Sequence, residues 1–272
     1  MTRLAIIAGK GQLPFEVAAA ASADGHIVLV LPIEGQADAD FTCYHSIPIR
    51  LGSISETRSI LVQNNISQLV MVGKVHWPSM AALRPDFDGV KLLGKMITRG
   101  DDSVLRILAS YFAELSIETI APDRFLPHRK MPFGVVNGKA ADAEENVSIS
   151  LAVSVLEALG GYDVGQSIVV QNGRVIAIEG AEGTDLMILR SAELCDPDGG
   201  TSCLVKMSKN EQDLRLDMPV IGCKTILAAA RSGLSLLAVE EGAVLMADDF
   251  LSIQKTCTEH HITLVGIRRK GI

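Results

Sequence analysis

The chain has 272 residues, 48% of them hydrophobic and 21% charged, with a net charge of −7. That length and balance predict a packed core in one large domain or two modest ones and exclude a disordered chain. The acidic excess argues against nucleic acid as a partner, and the shortage of aromatics (4%) beside abundant Ala, Val, Ile and Leu suits layered α/β structure.

The N-terminus runs from Met1-Thr2-Arg3 directly into the short apolar run Leu4–Ala8, without the longer apolar core of a signal peptide. Leu4–Ala8 has the length of a buried strand. Gly9-Lys10-Gly11 follows, then a helical stretch from Leu13 to Ala23 and a strand from His26 to Leu31. Such alternation predicts a parallel, Rossmann-like sheet. A helix is expected over Ser55–Gln63, with Ser55 as N-cap, and a strand over Gln68–Val72. An amphipathic helix is expected over Asp101–Leu115, with two acids in its first turn, and a short strand over Glu118–Ala121. The Pro- and Gly-rich segment from Pro122 to Ala143 marks a domain boundary, placed so that residues 1–130 and 131–272 form two α/β domains.

The second half opens with a helix over Glu144–Leu159. Ser167–Gln171 and Arg174–Glu179 flank Asn172-Gly173, the preferred type I′ hairpin pair. A hairpin among α/β units predicts a mixed sheet. A helix over Leu186–Ala192, a strand over Cys203–Met207, a helix over Thr225–Ser232 and a strand over Leu234–Val239 follow. Asp248–His260 and Ile262–Ile267 close the chain as helix and strand. The terminal Arg268-Arg269-Lys270 reads as a solvated basic end.

Five scattered cysteines, with no CxxC and no His/Cys zinc spacing, fit a reduced cytosolic compartment. No uncharged apolar run reaches the roughly 20 residues of a spanning helix. A cytoplasmic protein is expected, with any lipid contact peripheral or through a lipid-like substrate.

Several motifs sit where α/β proteins place ligands. Gly9-Lys10-Gly11-Gln12-Leu13-Pro14 occupies the position of a phosphate loop, although Pro14 replaces the third glycine of a dinucleotide fingerprint. Glu34 lies at the distance expected of a ribose carboxylate. Gly73-Lys74-Val75-His76-Trp77 follows the third strand, with Lys74 as a phosphate partner, His76 as an acid or base and Trp77 as a stacking surface. Arg99 stands at a glycine hinge before two acids and suits an anion. Glu179-Gly180-Ala181-Glu182-Gly183-Thr184-Asp185 is an acidic, glycine-rich turn in which Thr184 or Asp185 serves as N-cap or contacts a sugar or phosphate. Lys206 supplies a charge to the same place.

The densest signal is Gln212-Asp213-Leu214-Arg215-Leu216-Asp217-Met218-Pro219-Val220-Ile221-Gly222-Cys223-Lys224-Thr225. Read as a strand, its alternation places Asp213, Arg215 and Asp217 on one face, ahead of a turn into a helix. Two carboxylates and an arginine there suit Mg²⁺ and a phosphate; a solvated face with a surface ion pair accounts for the same residues.

Taken together, these stretches resemble the UDP-2,3-diacylglucosamine pyrophosphatase family of lipid A biosynthesis, the family distinct from the calcineurin-type enzyme for that step. The likeness is carried by Gly9–Pro14, by Val72–Pro78 with Leu83-Arg-Pro-Asp86, and by Arg99–Ser103. It continues in Ile178–Asp185 and Gln212–Pro219. Leu216 and Cys223 stand where the family usually has Phe and Pro, and the charged positions are intact. The resemblance implies an active site between two domains and Mg²⁺-assisted hydrolysis to UMP and 2,3-diacylglucosamine 1-phosphate (lipid X). It implies Asp217 as the catalytic aspartate, with Asp213 as second choice, both as metal ligands. Gly9, Gly11, Gln12, Lys74, Arg99, Thr184, Asp185, Lys206, Arg215 and Thr225 are the substrate-binding candidates. Peripheral contact with the inner membrane and a homodimer are compatible with it. A dinucleotide-dependent oxidoreductase and a non-catalytic nucleotide-sugar or lipid-binding protein are the competing readings.

Overall fold

The computed structural model describes residues 1–76, 83–96, 101–196, 198–210 and 212–269. By contacts the chain divides into two compact units. One comprises Met1–Pro127 with Asp213–Asp217, the other His128–Gln212 with Met218–Ile272. The segment carrying Asp213, Arg215 and Asp217 therefore groups with the first unit.

The first unit holds a five-stranded sheet of β1 (Arg3–Ala8), β2 (Ile27–Pro32), β3 (His45–Ser46), β4 (Gln68–Val72) and β5 (Glu118–Thr119). Their order is β3-β2-β1-β4-β5 and every pairing is parallel. Strand alternation sends side chains to both faces. Leu4, Ile6, Val30 and Val70 pack on one face with Val17, Ala18 and Ala21 of the helix Leu13–Ala23. Ala5, Leu29, Leu31 and Leu69 pack on the other with Leu61 of the helix Ile54–Gln63 and Phe112 of the helix Asp101–Ala113. Because both faces are covered, the strands read as apolar runs rather than as alternations.

The second unit is built on a six-stranded mixed sheet. Its strands are β6 (Gly134–Asn137), β7 (Ser167–Gln171), β8 (Arg174–Ile178), β9 (Ser202–Lys206), β11 (Leu236–Glu240) and β13 (Thr263–Ile267), in the order β6-β13-β11-β9-β7-β8. β9, β11 and β13 are mutually parallel, whereas β6, β7 and β8 run antiparallel to their neighbours. A small parallel pair, β10 (Val220–Ile221) with β12 (Leu245–Met246), stands apart. The helix Ala143–Gly160 covers one face through Ile149, Ala152 and Leu156. The helices Thr184–Ser191, Cys223–Arg231 and Phe250–Glu259 cover the other through Met187, Ile188, Ile226 and Ile253.

The hairpin turns as its sequence demands, with Asn172 at φ 49° and Gly173 at φ 66°. The helix Ala143–Gly160 opens on a capping box: the Asp142 carboxylate accepts from the Glu145 N–H, and the Glu145 carboxylate accepts from the Asp142 N–H.

Three local expectations are corrected. Ser55 does not cap its helix: the N-cap position is Ser53, without a side-chain bond, and the Asp86 carboxylate accepts from the Ser55 N–H at 2.7 Å. Gly183, at φ 81°, caps the helix Thr184–Ser191 in place of Thr184 or Asp185. Residues 213–217 are not a strand. The Leu216 N–H donates to the Asp213 carbonyl at 2.9 Å, closing a turn, so the three charged side chains do not share a strand face.

Candidate active site

The carboxyl ends of β1 and β4 lie side by side, because their strands pair in parallel. The Gly9 N–H donates to Val72, and Lys10 and Lys74 exchange backbone hydrogen bonds of 2.9 and 3.0 Å. Glycine is required on both sides of this approach. A Cβ on Gly9 would stand 2.7 Å from the Gly73 carbonyl oxygen, and one on Gly73, at φ +99°, would stand 2.7 Å from the Gly9 backbone. Gly9, Gly11, Gln12 and Lys74 are thereby gathered at one end of the first sheet. Nearby, the Gln36 side chain clasps the His76 backbone in both directions, donating at 3.1 Å and accepting at 2.7 Å. Glu34 is exposed just beyond β2.

The Gly11 N–H, which a phosphate loop would offer to its ligand, donates instead to the Asp38 carboxylate at 2.7 Å. The turn into the helix Cys223–Arg231 is filled in the same way: the Cys223 N–H donates to Asp248 at 2.7 Å. At both turns an internal carboxylate takes a place that suits an external anion. Neither acid carries a local sequence signal, because each is more than twenty residues from its partner.

In the second unit, Lys206 is only 4% exposed at the end of β9. Its ammonium donates to Thr184 Oγ1 at 2.8 Å and to Ser167 Oγ at 3.2 Å; Thr184 in turn donates to Glu179 at 3.0 Å. Thr225 Oγ1 donates to Asp185 at 3.5 Å. The structure thus brings together Thr184 with Lys206 and Asp185 with Thr225. Lys206 is thus buried with its ammonium bonded to two hydroxyls.

The turn Asp213–Asp217 is held by its own ion pair. Arg215 donates to Asp213 from Nε at 2.9 Å and from Nη2 at 2.6 Å, and its backbone N–H also reaches Asp213 Oδ1. Both carboxylate oxygens are therefore engaged in a fork contact. These bonds from Arg215 hold the Asp213 carboxyl below its ordinary range, the positive charge of Arg106 contributing less. Arg215 remains 61% exposed, and Asp217 is exposed at the end of the turn.

Cys223 lies in the turn that opens the helix Cys223–Arg231. Burial pushes its thiol upward, against the opposing hydrogen bond from Thr256 at 3.3 Å. Among the described residues, no group of three His, Cys, Asp or Glu is placed to hold a metal ion. Arg99 and Trp77 lie outside the described residues.

A loop that carried no motif in the sequence is held by a network of side-chain hydrogen bonds. Glu240 accepts from the Ser208 N–H at 2.8 Å and from Ser208 Oγ at 2.7 Å, while Arg269 spans Glu240, Ser208 and Asn210. Arg269 is therefore not a solvated tail residue, whereas Arg268 pairs at the surface with Glu241.

Comparison with known proteins decides the family. Two family models cover nearly the whole chain: the LpxI N-terminal domain at residues 3–129 and the LpxI C-terminal domain at residues 132–265. The chain belongs to the LpxI family. A relative named UDP-2,3-diacylglucosamine pyrophosphatase LpxI, from Caulobacter vibrioides, is 33% identical over 257 residues, covering 91% of each chain. Among solved structures, a glycinamide-RNase-transformylase T from Mycobacterium tuberculosis aligns with 65% of this chain and 43% of its own, at 14% identity and a TM-score of 0.25. No helix among the described residues of this LpxI-family chain is long and apolar enough to cross a membrane.

Proposed function

We propose that this chain hydrolyses the pyrophosphate bond of UDP-2,3-diacylglucosamine, giving UMP and 2,3-diacylglucosamine 1-phosphate in lipid A biosynthesis. The observation that carries this reading is the match of both family models end to end, joined to a relative of that name at 33% identity over 91% of the chain. The parallel order β3-β2-β1-β4-β5 supports a Rossmann-like first domain, whose strand ends at Gly9 and Gly73 lie where such sheets take nucleotides.

Hydrolysis adds water across one P–O bond of the diphosphate, and the water's proton must pass to a base. Asp217, exposed at the end of its turn, fills the catalytic place. Asp213 takes a different one: with both oxygens on Arg215, it holds that guanidinium for a phosphate oxygen. The metal assignment narrows for the same reason. Mg²⁺ commonly binds through one or two carboxylates and the substrate's own phosphates, and Asp217 with the diphosphate fits that donor set without a protein cage. When bound, the ion neutralises charge on the diphosphate. Lys206 keeps Thr184 oriented from beneath.

The test is to incubate the purified full-length protein with UDP-2,3-diacylglucosamine and Mg²⁺ and to follow UMP. Release of UMP with lipid X is expected. Binding without release would support a non-catalytic carrier, and oxidation or reduction of NAD(P) would support an oxidoreductase.

A further inference from the structure

We propose that Arg269, acting through Glu240 and Ser208, is a positioning residue for this hydrolysis. The proposal rests on the functional reading above. Glu240 ends β11, Ser208 lies just past β9, and Arg269 lies just past β13, so the clamp joins the carboxyl ends of the parallel strands of the second sheet. Both backbone groups of Ser208 are taken: its N–H by Glu240 at 2.8 Å and its carbonyl by Arg269 Nη2 at 2.7 Å. Arg269 Nε reaches Glu240 at 3.0 Å and Nη1 reaches the Asn210 side-chain oxygen. All three nitrogens of the guanidinium thus have partners within the protein, which distinguishes this arginine from one that offers a fork to substrate.

Lys209, Asn210 and Gln212 are also bonded. Lys209 pairs with Asp163, and the Asn210 side chain donates to the Glu157 carbonyl at 2.7 Å. Gln212 Oε1 accepts from the Lys209 N–H at 2.8 Å and from Gln166 at 3.0 Å. The next residue in the chain is Asp213. A segment that begins from a fixed point has fewer positions open to it, and the placement of a reacting group governs rate steeply. Arg269 lies beyond residues 132–265, where the family's C-terminal model matches.

UMP release is measured for the full-length wild type, Arg269→Ala, Arg269→Lys, Glu240→Gln and the double variant Arg269→Ala/Glu240→Gln. Amide exchange at Ser208 is followed in parallel. Arg269→Ala is expected to lower kcat by about tenfold or more with KM within about twofold, because ground-state contacts are unchanged. Arg269→Lys falls short of wild type, since an ammonium cannot reproduce the planar fork. The double variant is no worse than Arg269→Ala, because the two residues act as one unit. Exchange at Ser208 rises in every variant. Unchanged kcat beside faster exchange at Ser208 overturns the proposal, as does a raised KM at unchanged kcat, which marks a substrate contact. Should Arg269→Ala fail to fold, Arg269→Lys and Glu240→Gln carry the same comparison. A wild type that releases no UMP overturns the functional reading itself, a result distinct from an active wild type beside an equally active Arg269→Lys.

Discussion

Two glycine-rich strand ends look alike in sequence and are built for different reasons. At Gly9 and Gly73 in the first unit, two backbones approach so closely that no Cβ fits between them. At Gly183 in the second unit a Cβ would meet nothing within 4 Å, and glycine serves only the positive φ of a helix cap. Order there comes from side chains instead, from buried Lys206 through Thr184 to Glu179. The first end is shaped by steric exclusion and the second by hydrogen bonding, so they should fail differently when altered.

The largest effect is expected at Gly73. Gly73→Ala combines a φ of +99° with a 2.7 Å backbone clash, and should cost about 3 kcal/mol in the urea denaturation of the first unit. Lys206→Met should cost about 2 kcal/mol, because Thr184 and Ser167 lose a buried donor. Thermal unfolding of the variant checks this, and an unchanged midpoint would break the contrast. Gly183→Ala carries the strain of φ without the clash and should cost about 1 kcal/mol. If Gly73→Ala and Gly183→Ala proved equal, backbone contact would not be what requires the first glycine.

The smallest effect on stability is expected at the turn. Arg215 is 61% exposed, so Arg215→Met should change stability by less than about 1 kcal/mol. Its signature lies in pH. The folded Asp213 carboxyl is held below its ordinary 3.8, chiefly by hydrogen bonds from Arg215. The pair's contribution is therefore complete above that pH and is lost as pH falls through the lowered folded value. Titration of Asp213 by NMR should move upward in Arg215→Met.

Much of the fold was legible because its signals are local. The apolar runs of β1, β2 and β4 reported strands covered on both faces, and Asn172-Gly173 fixed the hairpin. Candidate site residues could be nominated from the sequence, but their bonding geometry could not. Asp-Leu-Arg-Leu-Asp has the period of a strand, yet Asp213 captures the N–H and guanidinium of Arg215, and that local bonding competes with an extended chain. The carboxylates of Asp38, Asp86 and Asp248 cap distant backbone N–H groups, and Arg269 binds a loop some sixty residues earlier in the chain. Such partners meet only through the tertiary fold.

The central claim is that Asp217, rather than Asp213, is the catalytic carboxylate. Turnover of UDP-2,3-diacylglucosamine by Asp217→Ala tests it most directly, with binding of the same substrate measured on the same sample. Retained binding with UMP release reduced by about a thousandfold or more is the expected result; turnover equal to wild type would remove Asp217 from the mechanism.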